Sequence, residues 1–151
     1  MLDATNPEIS RKDWMAVLAK APADLLAAQY EKLGAEPAFD WLRTPEIGAV
    51  MVRGRAGGTG APFNLGEMTV TRCSLQLADG KVGHAYVPGR DRDHARRAAI
   101  CDALLQGMRS SEVRTEVILP LADAHREARA VTAGQAEKTR VDFFTMVRGE
   151  D

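Results

Sequence analysis

The fold is decided by residues 67–106, which read EMTVTRCSLQLADGKVGHAYVPGRDRDHARRAAICDALLQ. Glu67–Leu77 is rich in Thr, Val and Leu, a composition typical of β-strands. Asp79-Gly80 is a strong signal for a tight hairpin turn, so Lys81–Val87 is predicted to return as the next strand. The chain then predicts a helix from about Arg92 to Arg109.

The predicted helix is apolar almost all round, which indicates that it is buried against the sheet or against a partner. Its apolar residues are Ala95, Ala98, Ala99, Ile100, Cys101, Leu104, Leu105 and Met108. Asp102 is the exception, and a buried carboxylate needs a hydrogen-bonding partner or a proton. We interpret it as half of a structural ion pair, with Arg72 of the preceding strand as the expected partner, rather than as a catalytic base.

Two further strands are predicted before this stretch, over Phe39–Arg43 and Ile47–Arg53, with Thr44-Pro45-Glu46 as the turn between them. A glycine-rich stretch, Gly54–Gly60, separates them from the later strands. The connections are too short for helical crossovers, so the four strands are expected to form an antiparallel sheet. The sheet spans residues 39–87.

The sequence before the sheet predicts a helical hairpin over residues 10–34. Ser10 is a suitable N-cap for the first helix. Pro22 suits the first position of the second helix, and Gly34 suits its end.

The sequence after the sheet predicts helices over residues 92–139, interrupted or restarted at Pro120. An extended docking tail is predicted over residues 140–151. The predicted fold is therefore a single α+β domain in which a four-stranded antiparallel sheet is covered by helices.

Composition excludes several classes of function. Lys+Arg 20 against Asp+Glu 21 gives a net charge of -1, whereas nucleic-acid-binding domains usually carry a basic excess. Cys73 and Cys101 are expected to be buried reduced thiols, and there is no cysteine cluster for an iron-sulfur centre. No apolar run approaches membrane-spanning length and the N-terminus lacks an apolar signal region, so a cytoplasmic location without membrane contact is expected.

Three stretches together resemble one protein family. They are GGTG at Gly57–Gly60, GRDRDHARRAAICDALLQ at Gly89–Gln106 and RVDFFTMVRGE at Arg140–Glu150. The family is PhnG, the G subunit of the carbon–phosphorus lyase system. The resemblance extends from about Arg11 onward, and the tail is its most specific part.

The resemblance implies a function within a complex. Members of the family assemble with the H, I and J subunits, of which I is the expected direct partner, and they act with the L subunit. The complex converts ATP and an alkylphosphonate to a ribose 1-phosphonate 5-triphosphate and releases adenine. ATP and the phosphonate are substrates, and no cofactor is expected in this chain. The alternatives are a purely structural assembly subunit and a stand-alone phosphate-binding enzyme.

The glycine loop is a candidate phosphate contact. Successive backbone N–H groups at Gly57, Gly58, Thr59 and Gly60 are typical of an anion-binding nest, and Arg53 and Arg55 lie nearby in sequence. The spacing matches neither a Walker loop nor a dinucleotide fingerprint. The alternative is a plain connection between strands.

Arg90 and His94 are candidates for substrate contact and catalysis. Arg90 precedes a predicted helix N-terminus, which favours anions, and His94 falls in the first turn. The alternative is that Asp91 or Asp93 caps the helix while the arginines are solvated or paired.

No metal site is predicted, because His84, His94 and His125 lack the spacing of metal ligands. A site formed by His84, His94 and Cys73 across sheet and helix is geometrically conceivable but is not favoured. 

The tail supplies the candidate partner interface, because an apolar terminus must dock on the chain itself or on another chain. The interface candidates are Val141, Phe143, Phe144, Met146 and Arg148. An intramolecular edge strand is the alternative.

Overall fold

A computed structural model of the protein describes residues 9–141. It is an α+β fold in which helices pack on a small antiparallel sheet. The elements in chain order are α1 (Arg11–Lys20), α2 (Ala23–Glu31), β1 (Phe39–Arg55), a 3₁₀ turn (Ala56–Gly58), β2 (Pro62–Leu77), β3 (Val82–Pro88), α3 (Arg92–Leu105), α4 (Ser110–Val113), a π-helical turn (Arg114–Ile118) and α5 (Leu119–Lys138).

The described sheet has three strands in the order β1-β2-β3, so the prediction of four strands was wrong. The predicted turn at Thr44-Pro45-Glu46 lies inside β1, which continues through it. The pairing moves from Arg43↔Ser74 to Glu46↔Arg72, so two residues of β1 oppose one residue of β2 as a β-bulge. β1 is an edge strand, where a proline without an N–H group is tolerated at a bulge.

The β1–β2 hairpin is much longer than the third strand. β1 and β2 stay paired as far as Arg55↔Pro62, but β3 pairs only with Val70–Gln76. Val50–Met68 therefore forms a two-stranded ribbon beyond the three-stranded part of the sheet. This ribbon is called the β-arm below, and the 3₁₀ turn forms its tip.

Helix α3 provides the centre of the core. It packs on β2 and β3, and ten of its fourteen residues are buried, which confirms the prediction from its apolar sequence. It ends at Leu105 rather than at Arg109. Gly83 of β3 has no side chain, and this lets the backbone of α3 approach the sheet closely at Ala99.

Local signals fix most helix ends. The Ser10 side chain accepts a hydrogen bond from the Asp13 N–H at 3.3 Å, which confirms the predicted cap of α1. Pro22 precedes α2 rather than beginning it. Gly34 follows α2 with a φ of 81°, a conformation that glycine adopts without steric cost. Pro120 lies at the start of α5, as a restart of the helix requires.

The two cysteines are free and buried, as predicted, and they give the protein an alkaline sensitivity. Burial raises the pKa of each thiol, Cys73 and Cys101, to about 12. An unfolded thiol has a pKa of about 8.5. Between these two pKa values the unfolded chain releases thiol protons that the folded chain retains. We therefore expect the free energy of unfolding to keep its full value below about pH 8.5 and to fall as the pH rises toward 12.

Urea-unfolding midpoints from about pH 7.5 to about pH 10.5 measure this effect. The Cys73→Ala/Cys101→Ala variant is expected to show a shallower alkaline decline, although Tyr30, whose pKa is also raised by burial and then by its hydrogen bond to Glu36, leaves part of the slope in place. A double variant with the wild-type slope would contradict the assignment to the thiols.

Candidate functional site

The junction between β3 and α3 places Arg90 on the surface. Gly89 has a φ of 86°, its N–H donates to the Thr69 carbonyl at 2.9 Å, and its carbonyl accepts from Thr71 Oγ1 at 2.8 Å. Asp91 then caps α3 by accepting from the His94 N–H at 2.9 Å. Asp91 is therefore the cap, as one alternative predicted. The Arg90 side chain is exposed beside it, and its phosphate contact stays a prediction.

His94 does not share that surface. Its side chain is buried, and Nε2 lies 2.7 Å from the Leu18 carbonyl oxygen. A carbonyl accepts only, so Nε2 carries the proton and donates. The imidazole thus ties the end of α1 to α3, which is a structural role. A catalytic role for His94 stays a prediction, and the geometry does not direct its ring to an anion held by Arg90.

The candidate glycine loop lies at the tip of the β-arm. Gly57 and Gly58 have positive φ values of 60° and 80°. The N–H groups of Thr59 and Gly60 both donate to the Ala56 carbonyl, so two of the four candidate donors are already used inside the turn. Phosphate binding by this loop stays a prediction that rests on the remaining two N–H groups and on the nearby arginines.

The two candidate phosphate regions lie at opposite ends of the β-arm. Arg90 adjoins the base, where Gly89 bonds to Thr69, whereas Gly57–Gly60 forms the tip. The paired residues from Met68 to Pro62 span about 20 Å at the usual rise of a strand. The chain alone therefore does not bring these groups together around one phosphate.

The Asp102 carboxylate is fully buried and forms the main polar network of the core. It accepts hydrogen bonds from Arg11 Nη2 at 2.7 Å and Nε at 3.1 Å, from Trp14 Nε1 at 2.8 Å and from the His84 N–H at 2.9 Å. The prediction that Arg72 pairs with Asp102 was therefore wrong. Hydrogen bonding to Asp102 also raises the pKa of Arg11.

Arg72 belongs instead to a polar row on the exposed part of the sheet. It donates to Glu46 at 2.7 Å, and this bond raises the pKa of Arg72. Ser74 Oγ lies 2.7 Å from His84 Nδ1 in the same region. Asp102 contacts the backbone of His84 and not its ring, so these residues do not form a Ser-His-Asp triad.

The conceivable metal site is not assembled. His84 bonds to Ser74, His94 to Leu18, and Cys73 Sγ lies 3.3 Å from the Ala95 carbonyl oxygen. Across residues 9–141 no group of three His, Cys, Asp or Glu side chains is arranged to hold a metal ion.

The predicted tail interface lies mostly outside the described residues. Val141 is 69% exposed. Phe143, Phe144, Met146 and Arg148 fall beyond residue 141, so their interface role stays a prediction. In the part of the chain that the structure describes, no helix is both long and apolar enough to cross a bilayer.

Comparison with known proteins identifies the family. The family model described as "Phosphonate metabolism protein PhnG" matches residues 9–149. A relative from Rhizobium meliloti (strain 1021), named alpha-D-ribose 1-methylphosphonate 5-triphosphate synthase subunit PhnG, is 44% identical over 144 residues. The alignment covers 93% of this chain and 90% of the relative. The resemblance seen in the sequence motifs is confirmed, and the chain belongs to the PhnG family.

Proposed function

We propose that the protein is a subunit of an alpha-D-ribose 1-methylphosphonate 5-triphosphate synthase and acts in organophosphonate catabolism within a carbon–phosphorus lyase core complex. The observation that carries this proposal is the 44% identity to a named synthase subunit along nearly the whole of both chains. The partners are the H, I and J subunits, with I in direct contact and L acting with them. Because ATP is a substrate of the complex, the assembly is expected in the cytoplasm.

The proposed reaction joins a phosphonate oxygen to C1′ of the ATP ribose and breaks the bond from C1′ to adenine. The transition state resembles an oxocarbenium ion, so the site must hold the anionic phosphonate close to C1′ and stabilise the departing base. The chemistry needs a cation near these anions, and Arg90 is the exposed residue of this chain that we propose for that contact.

Action within a complex fits the described geometry better than a stand-alone enzyme. Asp102 and His94 are engaged in bonds that hold α1 to α3 and β3. The two candidate phosphate regions are separated by the length of the β-arm. A subunit that completes a site on a partner needs neither an enclosed pocket nor a catalytic cluster of its own.

Assembly and turnover together test the proposed function. The tagged chain is co-expressed with the H, I and J subunits and purified through its tag, and adenine release from ATP and methylphosphonate is measured after L is added. Co-purification and adenine release that requires this chain are the expected results. If the chain binds none of the three and adenine release proceeds without it, the proposal is wrong.

Arg90→Ala tests the proposed substrate contact in the assembled complex. A charge-assisted hydrogen bond contributes about 1.5–3 kcal/mol, so loss of the guanidinium is expected to lower kcat/KM for adenine release by about 10- to 150-fold. The complex should assemble normally, because Arg90 is exposed and outside the core.

Arg92→Ala is the matched control for Arg90→Ala, because Arg92 is also exposed and lies two residues further along. It is expected to retain wild-type turnover. Equal turnover in the two variants would contradict the proposed substrate contact of Arg90 and would favour a purely structural role for this subunit.

A further inference from the structure

The β-arm projects from the folded core with little support. Six paired residues of β1 from Val50 to Arg55 carry it about 20 Å past the last residues that β3 covers. None of its residues belongs to the hydrophobic core cluster. An isolated two-stranded hairpin is only marginally stable in water, so a ribbon of this length is suited to being covered by another surface.

The β-arm carries large apolar side chains that are exposed to solvent. Met51 is 54% exposed, Phe63 45%, Leu65 61% and Met68 40%. Leu65 is the extra residue at a bulge between the pairs Val52↔Gly66 and Arg53↔Asn64, and its side chain lies over Gly54. By the strand register, Met51 lies on one face of the ribbon, and Phe63 and Met68 lie on the other. Both faces of the ribbon therefore expose large apolar side chains, which are typical of protein interaction sites and suit an element that enters a cleft.

The charges on the β-arm have one sign near its tip. Between Glu46 and Glu67 the only charged residues in the sequence are Arg53 and Arg55, and both are exposed. Arg55 Nη1 donates to the Gly60 carbonyl at 3.2 Å, which leaves most of its donors available to a partner. The arm therefore fits an apolar cleft that ends in acidic groups.

A second copy of this chain does not supply that complement in its described cavities. The groove between α1 and β3, about 210 Å³, is lined by Met15, Leu18, His84, Tyr86 and small apolar residues, with no carboxylate. The cavities at the arm itself and along α5 are lined by basic and apolar or neutral residues, again without a carboxylate. A different subunit is therefore a better candidate than a second copy of this chain for the partner of the β-arm.

We propose that the β-arm is a docking element that inserts into an apolar cleft on another synthase subunit, with Arg53 and Arg55 pairing with carboxylate side chains at the far end of that cleft. This inference rests on the proposed function, since it requires a complex. It assigns assembly to the Val50–Met68 ribbon, in addition to the tail predicted from the sequence.

An armless variant tests the proposal directly. Ala49 and Thr69 are directly paired, so an Asn-Gly turn can join them in place of Val50–Met68. This design keeps Thr69 and its bond from the Gly89 N–H. Circular dichroism and thermal unfolding should show a folded protein, because the core cluster is intact.

The armless variant is then co-expressed with the H, I and J subunits beside the wild type. The expected result is assembly of the wild type and loss of the armless variant from the complex. If both assemble equally, the arm proposal is overturned while the proposed function stands. If the wild type does not assemble, both are overturned. Sedimentation is also measured for each purified chain without the other subunits. If the wild type forms dimers and the armless variant does not, the arm docks on a second copy of this chain, which overturns the proposal of a different subunit.

Point variants locate the contact without removing a segment. Leu65→Ser and Met51→Ser are compared with Leu42→Ser and Met108→Ser, which change the same residue types at exposed positions outside the arm (57% and 104% exposed). Each arm variant is expected to weaken assembly by about 30-fold or more, as for a central interface side chain, and each control by less than about threefold. Equal effects in arm and control variants would argue against insertion of the arm.

The charge assignment has its own test. Arg53→Glu/Arg55→Glu is expected to weaken assembly by at least tenfold at low salt, and the deficit should shrink as salt screens the charges. Arg126→Glu/Arg129→Glu on α5 is the control. An arm variant that assembles normally but has a raised KM for ATP would show that the arginines contact the triphosphate instead, which overturns the carboxylate pairing.

Discussion

Asp102→Ala is expected to lower the free energy of unfolding by about 3 kcal/mol. The substitution leaves the Trp14 indole N–H and the His84 backbone N–H without their acceptor, and each unsatisfied donor costs about 1–3 kcal/mol when it is shielded from water. Arg11 adds less, because its side chain is 43% exposed and water can replace the lost ion pair.

Urea unfolding of the wild type and of Asp102→Ala measures this loss. Asp102→Asn keeps the shape but turns amide hydrogens toward a site that holds donors only, so it should be nearly as unstable. The control is Asp123→Ala, which removes an exposed ion pair with Arg126 and should change stability by less than about 0.5 kcal/mol. If Asp102→Ala matched this control, the network would not contribute to the stability of the fold.

Asp102 also shows how far sequence reasoning reaches. Its position on an apolar helix indicates a buried carboxylate with a structural partner, and both features are confirmed. The partner's identity depends on tertiary packing, because Arg11 is 91 residues away in a different helix. Arg72 lies on the preceding strand and was the expected partner of Asp102, but its side chain donates a hydrogen bond to Glu46 of β1.

Caps and turns that are closed by hydrogen bonds between near neighbours were predicted correctly. The caps at Ser10 and Asp91 and the turn at Asp79-Gly80 rest on bonds between near neighbours, such as the Lys81 N–H to Asp79 at 3.0 Å. Pro45 misled the prediction because a proline ends a central strand but is compatible with a bulge on an edge strand. Whether a strand lies at an edge is decided by the whole sheet.

Tertiary packing also decides which of the candidate site residues face solvent. The first-turn position of His94 places its ring within reach of an anion at the helix N-terminus, yet the side chain is buried and its Nε2–H donates a hydrogen bond to the Leu18 carbonyl oxygen. The β-arm was also missed, because the sequence predicts strands that end at Arg53 and begin again at Glu67, whereas β1 runs to Arg55 and β2 begins at Pro62. Only the shortness of β3 reveals that this hairpin extends beyond the core.

Gly83→Ala is expected to be the most disruptive single methyl addition at a glycine in the described part of the chain. A Cβ at this position would overlap the Ala99 carbonyl oxygen of α3 and lie 2.9 Å from its carbon and 3.0 Å from the Ala103 Cβ. These are mainly backbone atoms, so no side-chain rotation relieves the overlap and α3 must move away from β3. Overpacking of a core usually costs about 1–3 kcal/mol, and a rigid backbone contact places this variant at or above about 3 kcal/mol.

Gly48→Ala provides the matched control for Gly83→Ala. Gly48 is also a strand glycine, but a Cβ there meets only the end of the Arg72 side chain, at 4.0 Å. It should leave the urea midpoint unchanged or raise it slightly, since alanine restricts the unfolded chain more than glycine does. Movement of α3 would also strain the bond between Asp102 and the His84 N–H. The double variant Gly83→Ala/Asp102→Ala should therefore lose less free energy of unfolding than the sum of the losses in the two single variants. Full additivity, or equal midpoints for the two glycine variants, would contradict close contact between α3 and β3 as the constraint at Gly83.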